Sequence, residues 1–110
     1  MTEEEKIQVV QSLVDNDEGA TSAVVEVYLA VAKNTILSRL YPYGIPEDVT
    51  DIPSRYDYVQ CRLAMRYFLR RGAEGEISHS ENGIGRTYGS VNDGDILAEV
   101  VPYARLVNKQ

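Results

Sequence analysis

The feature that most constrains this chain is a long helical repeat of apolar residues in its first half. Between residues 20 and 40, apolar side chains recur every three or four positions and form two adjacent stripes. The first stripe consists of Val25, Leu29, Ala32, Ile36 and Leu40, and the second of Val24, Val27, Tyr28 and Val31. This spacing predicts a helix roughly 30 Å long. Two stripes are typical of a central core helix, and equally of a helix that packs on its own domain and on another chain.

Start and stop signals for helices divide the rest of the chain. Thr2 and Glu5 form a capping box, which predicts that a helix begins there. Pro53 suits the first turn of a later helix, Gly72 suits its end, and Asp95 can cap a short final helix. The predicted helices cover about 3–14, 20–40, 53–71 and 95–101.

A glycine-rich polar segment separates the third and fourth predicted helices. Asn82-Gly83 is the preferred pair for a type I′ turn, because both central positions require positive φ. Folding about this pair sets Ile77 opposite Tyr88 across two short strands. The sequence therefore predicts a mainly α fold: a small bundle of about four helices, with a β-hairpin over about 76–89 or a long loop between helices 3 and 4.

Length and composition suit one folded domain that covers the whole chain, 1–110. The apolar share of 44% is ordinary for such a domain, and the core of a 110-residue chain is modest unless other subunits cover part of its surface. A net charge of −6 disfavours a free nucleic-acid-binding protein, because phosphate contacts need a surplus of Lys and Arg on the binding face. The same charge is compatible with a protein that surrounds DNA without gripping it.

Charge is distributed unevenly along the chain. The third predicted helix carries five arginines against Asp57, whereas residues 1–26 hold seven acidic residues and only Lys6. A chain with one acidic and one basic surface suits head-to-tail association, in which a surface meets a different surface of the neighbouring copy. Pairing of the basic helix with the chain's own acidic N-terminal region is the alternative.

Groups that support catalysis or metal binding are few. A hydroxyl, an imidazole and a carboxylate occur together only in Ser78-His79-Ser80-Glu81. Because neighbouring side chains on a strand point to opposite faces, Ser78 and His79 are not placed to act as nucleophile and base. Cys61 lies among apolar residues, which indicates a buried and unreactive thiol. We therefore expect no catalytic residue, no cofactor and no metal site. No apolar run approaches the ~20 residues of a membrane span.

Three stretches of sequence form a pattern that covers essentially the whole chain. They are residues 28–43, 53–71 and 71–88. The first stretch contains the string Ile36-Leu37-Ser38-Arg39-Leu40-Tyr41-Pro42-Tyr43, and the third contains Ser78-His79-Ser80-Glu81-Asn82-Gly83-Ile84. The last string, which follows an Arg-Gly pair, is the most specific. In these stretches the chain resembles the head-to-tail connector proteins of tailed bacteriophages, also called adaptor or head-completion proteins.

The resemblance implies a structural virion protein without catalytic activity or cofactor. Such a protein forms a ring of about a dozen copies beneath the capsid portal and allows tail attachment. The partners implied are further copies of the chain, the portal protein, and a tail-completion or stopper protein, while DNA passes through without specific binding. The location implied is the capsid–tail junction of the virion, after synthesis in the cytoplasm of the bacterial host.

Candidate contacts with the neighbouring subunit, the portal or the DNA channel follow from the same resemblance. They are the arginines of helix 3 and polar residues of the predicted hairpin: Arg62, Arg66, Arg70, Arg71, Glu74, Glu76, His79, Glu81, Asn82, Gly83, Arg86 and Tyr88. A second class of function stays open at this point, namely a small cytosolic regulatory protein that binds DNA or a partner through the basic helix 55–71. Binding to phosphates would weaken steeply with salt.

Overall fold

The computed structural model describes the backbone of residues 1–80 and 93–104, and the side chains of residues 1–71 and 93–104. The described helices are α1 (Glu3–Leu13), α2 (Ser22–Leu40), α3 (Asp57–Ser80) and α4 (Gly94–Leu97), with a short 3₁₀ turn, η1 (Ser54–Tyr56), directly before α3. Helices α1, α2 and α3 pack on one another, and α4 packs on α3. The described residues include no strand, and the predicted mainly helical class is confirmed.

The start of α1 has the capping box that the sequence predicts. The Glu5 backbone N–H donates to the Thr2 hydroxyl at 3.1 Å, and the Thr2 N–H donates to the Glu5 carboxylate at 2.8 Å. After α1 the chain reverses through Asp15 and Asn16, both with positive φ, a conformation that short polar side chains tolerate. Thr21 then caps α2, which therefore runs antiparallel to α1.

Helix α2 lies at the centre of the core. Its first predicted stripe is completely buried: Val25, Leu29, Ala32, Ile36 and Leu40. The second stripe divides in two. Val24 and Tyr28 are half-buried against the core, whereas Val27 is 59% exposed and Val31 is 48% exposed. One side of α2 thus forms the core, and apolar residues on its other side face solvent.

Buried polar contacts fix how the three long helices meet. The Lys6 ammonium lies 3.4 Å from the Asp57 carboxylate, and both side chains are buried. Because Lys6 is near the start of α1 and Asp57 begins α3, these two helices run parallel. Between α3 and α2, the Gln60 amide donates to the Leu29 carbonyl at 2.8 Å, and no described atom donates to the Gln60 Oε1.

Helix α3 is longer than the sequence predicts. The prediction ended it at Arg70-Arg71-Gly72, but the helix continues to Ser80. A glycine inside a helix costs only about 1 kcal/mol relative to alanine, so a single glycine does not end a helix that is otherwise favoured. The predicted hairpin over 76–89 is not supported, because residues 76–80 of its first strand are helical. Its turn and second strand lie outside the described residues.

Residues 93–103, named here the C-terminal strap, cross the end of α2 and one side of α3. Helix α4 within it ends at Leu97, earlier than the predicted 101. The strap buries Ile96 and Val100 in the core, and its Tyr103 N–H donates to the Leu40 carbonyl at 2.9 Å. The strap therefore packs on the core.

Candidate assembly surface

Three arginines on α3 form a row on one face of the helix. Arg62, Arg66 and Arg70 are spaced four residues apart, which places them one above the other. Each donates to a carboxylate of the C-terminal strap, with nitrogen–oxygen distances of 2.7 or 2.8 Å. The pairs are Arg62–Glu99, Arg66–Asp95 and Arg70–Asp93. We call this row of three ion pairs the arginine ladder.

The environment of the ladder changes along its length. Asp93 is buried and Arg70 is mostly shielded, whereas Asp95 and Glu99 are exposed. The guanidinium of Arg66 donates two hydrogen bonds to Asp95 and thereby lowers the pKa of that carboxyl below its ordinary value. The second carboxylate oxygen of Asp93 lies 3.6 Å from Arg66. The ladder is therefore most shielded from solvent where the strap begins.

The other two arginines of the basic helix lie against aromatic rings. The guanidinium carbon of Arg71 is 3.8 Å from the centroid of the Phe68 ring, and that of Arg55 is 4.8 Å from the Tyr56 ring. The carboxylates that neutralise the ladder come from residues 93–99 rather than from the acidic N-terminal region. Most of the positive charge of α3 is thus already engaged within the chain.

The predicted contact residues fall into three groups. Arg62, Arg66, Arg70 and Arg71 lie on the described part of α3, and only their contacts within the chain are seen. Glu74, Glu76 and His79 belong to the helical backbone of α3, without a described side chain. Glu81, Asn82, Gly83, Arg86 and Tyr88 lie outside the described residues. Among the described side chains, the structure brings the arginines together and directs three of them at the strap.

A surface absent from the predicted contacts lies on the solvent side of α2. Six of its exposed residues are uncharged, namely Ala23, Val27, Ala30, Val31, Asn34 and Ser38, and the exposed Glu26 lies at its edge. A helix side that only meets water normally carries charged residues. We call this surface the outer α2 face. A shallow cavity of about 480 Å³ lies beside it, and Lys33 is the one charged residue among the described residues of the cavity lining. The sequence signal, beyond the two valines, was the low charge at helical spacing, since Glu26 is the one acidic residue of α2.

A second apolar surface lies between α1 and α3. It is a groove of about 610 Å³ lined by Met1, Glu5, Gln8, Val9, Ser12, Leu13 and Tyr58. Half of the Tyr58 side chain is exposed there. Glu5 is the one charged side chain among the described residues of its lining. We call this surface the α1–α3 groove.

The described part of the chain contains no cluster of His, Cys, Asp or Glu that would hold a metal ion. A polar cavity of about 330 Å³ beside Lys6 and Gln60 is lined by acidic and basic residues alike, which does not select one ligand charge. Cys61 is buried, and burial raises the pKa of its thiol to about 11. None of the described helices has the length and apolar character to cross a bilayer.

Comparison with known families gives a match over most of the chain. Residues 8–95, which include most of α1, all of α2 and α3 and the start of α4, match the family model of the phage gp6-like head-tail connector protein. No curated protein and no solved structure shows a significant match. The match covers well over half of the chain and agrees with the resemblance found in the sequence. The chain belongs to the phage gp6-like head-tail connector family, whose members have a structural role between phage head and tail.

Proposed function

We propose that this protein is a subunit of a ring that joins the capsid portal of a tailed phage to its tail and lets DNA pass. The observation that carries the proposal is the family match over residues 8–95. In this function the chain is made in the bacterial host cytoplasm and joins the virion at the capsid–tail junction. Its partners are about a dozen copies of itself, the portal protein, and a tail-completion or stopper protein.

Two physical features support this function. The outer α2 face and the α1–α3 groove both expose apolar side chains, which is the chemistry of a protein–protein contact. The net charge of −6 disfavours retention of DNA in a channel, since like charges repel. Glu74, Glu76, His79, Glu81, Asn82, Gly83, Arg86 and Tyr88 remain candidate contacts with the portal, the neighbouring copy or the channel.

The arginine ladder weakens the case for a cytosolic regulator that binds DNA through helix 55–71. Phosphates would have to displace carboxylates that already bind Arg62, Arg66 and Arg70. No described feature favours this second function.

The test is to measure particle mass for the purified protein alone, for the portal of the same phage alone, and for their mixture. We expect the portal mass to rise by multiples of the 12.3 kDa subunit, towards about a dozen copies. Electrophoresis with DNA at low salt, as the control, should give no complex. A protein that stays monomeric both alone and with portal would overturn the proposal.

A further inference from the structure

We propose that the C-terminal strap is a salt-sensitive latch, which opens from the bundle while α1, α2 and α3 stay packed on one another. Opening uncovers the arginines of the ladder and the part of the core that the strap covers. This inference goes beyond the proposed function, because it concerns a motion of the isolated chain and needs no ring.

The strap and the surface beneath it carry opposite charges. The strap includes three acidic residues, Asp93, Asp95 and Glu99, and no basic residue. Each of these carboxylates binds an arginine of α3. A further arginine, Arg39 of α2, donates to the Val100 carbonyl of the strap at 2.8 Å. Attraction between an acidic segment and cationic side chains therefore helps to hold the strap in place.

Most of this attraction is open to solvent. The side chains of Asp95 and Glu99 are 61% and 47% exposed, and dissolved ions screen such pairs strongly. Asp93 is the shielded member of the three. By contrast, the Lys6–Asp57 pair that joins α1 to α3 is buried, and salt screens a buried pair much less. Added salt therefore weakens the hold on the strap more than the contact between these helices.

The other anchors of the strap are few. Its buried apolar side chains are Ile96 and Val100, whereas Leu97 and Tyr103 are half-buried. The remaining buried apolar residues of the described core all precede the strap, and α1, α2 and α3 pack on one another without it. Parts of a protein with few buried apolar contacts open at a lower free energy than its core helices. The strap therefore opens before the bundle does.

An open strap changes the surface that the chain presents. Arg62 and Arg66 lose their carboxylate partners, and the apolar positions beneath Ile96 and Val100 meet solvent. A surface that combines cations with apolar groups is complementary to an acidic partner that also carries apolar residues, as the strap itself does. The latch thus controls whether other molecules reach this surface.

Labelling of two thiols in one chain tests the latch. Val100→Cys places a thiol at a buried position of the strap, whereas the native Cys61 lies on α3 with its Sγ 3.8 Å from the Lys6 carbonyl of α1. Iodoacetamide is added to the isolated chain, and peptide mass spectrometry follows each thiol. The strap thiol should react at least about tenfold faster than Cys61. Its rate should rise about threefold or more between about 0.05 M and about 1 M NaCl, whereas the rate of Cys61 should not.

Two glutamine substitutions, each combined with Val100→Cys, give a matched comparison. Arg66→Gln removes an exposed ion pair with the strap, so the strap thiol should react faster at low salt and depend less on salt. Arg71→Gln removes an arginine of the same helix whose guanidinium lies over the Phe68 ring. This control should change neither the rate of the strap thiol nor its salt dependence.

Two results would overturn the latch. Equal rates for the two thiols would show that the strap opens only when the whole bundle unfolds. A strap thiol that reacts faster than Cys61, but at a rate that salt does not change, would show that the ladder does not govern the opening.

The unmodified chain gives a second measurement, which does not depend on how well the Val100→Cys variant folds. Hydrogen exchange followed by NMR compares the Tyr103 N–H, which donates to the Leu40 carbonyl, with the N–H of the buried Leu63 in α3. The Tyr103 N–H should exchange faster, and the ratio of the two rates should rise with salt. Equal protection of the two groups, or a ratio that salt leaves unchanged, would refute the latch.

Discussion

Arg70 and Asp93 join the third helix to the first residue of the C-terminal strap. The Arg70 Nη2 donates to the Asp93 Oδ2 at 2.7 Å, and the two side chains are only 20% and 11% exposed. A charge-assisted hydrogen bond in such a shielded position contributes more to stability than an ion pair in water. The strap therefore depends on this pair more than on the exposed end of the ladder.

The Arg70→Gln substitution should lower the free energy of unfolding by about 1–3 kcal/mol, because the Asp93 carboxylate is then left buried without its main partner. The matched control is Arg62→Gln, whose partner Glu99 is exposed, and its cost should be below about 1 kcal/mol. Urea denaturation at pH 7 measures both. An Arg62→Gln cost equal to that of Arg70→Gln would contradict the gradient along the ladder.

Acid should weaken the ladder through Asp95. Hydrogen bonds from Arg66 make the pKa of the Asp95 carboxyl lower in the folded chain than in the unfolded one. Such a group contributes stability above its unfolded pKa, about 4, and loses that contribution as the pH falls through the folded pKa. The Asp95→Asn variant should therefore lose less thermal stability than the unmodified chain between pH 5 and strongly acidic solution.

The control for the acid prediction is Asp48→Asn, which removes an exposed carboxylate from the loop after α2. This variant should follow the pH dependence of the unmodified chain, as measured by circular dichroism during heating. The prediction fails when Asp95→Asn and Asp48→Asn show the same pH dependence.

The Asp57 carboxylate binds two cations, the Lys6 ammonium at 3.4 Å and the Met1 ammonium at 2.7 Å, and its buried pair with Lys6 should show strong coupling. Asp57→Asn leaves the Lys6 ammonium buried without a counter-charge, and we expect a cost of about 3–5 kcal/mol. Adding Lys6→Met to that variant removes the stranded charge and should restore a large part of the loss. Denaturant unfolding of the two single variants and the double variant gives the coupling. Costs that simply add would show that the pair does not interact.

Cys61 should resist thiol reagents while the chain is folded. Burial raises the pKa of its thiol to about 11, and the reactive species is the thiolate. At pH 8 roughly one thiol in a thousand is ionised at that pKa, against about one in four at the ordinary pKa of 8.5. Iodoacetamide should therefore modify the unfolded chain more than about a hundred times faster. Similar rates for folded and unfolded protein would contradict the buried position.

Local signals predicted the parts of the fold that depend on neighbours in sequence. The capping box at Thr2 and Glu5 follows from residue types at a fixed spacing, and the buried stripe of α2 follows from the helical period. The end of α3 did not follow in this way. Gly72 is a common stop signal, but the free energy that a glycine costs is small enough for the rest of the helix to override it.

The arginine ladder shows why site residues are harder to predict than helices. The four-residue spacing of Arg62, Arg66 and Arg70 placed them on one face, but it did not reveal what they bind. Their carboxylate partners lie 23 to 37 positions later in the chain. Such a separation leaves no periodic trace in the sequence. The interpretation as contacts for another molecule therefore rested on their charge and on the family resemblance.

The hydrogen bond from the Tyr103 N–H to the Leu40 carbonyl affects how the chain folds during its synthesis. The last carbonyls of a helix need partners, and this partner is made more than sixty residues after the helix itself. While those residues are still being synthesised, the end of α2 is open to solvent and its neighbouring apolar surface is uncovered. Completion of the fold therefore waits for synthesis of the strap, rather than proceeding helix by helix.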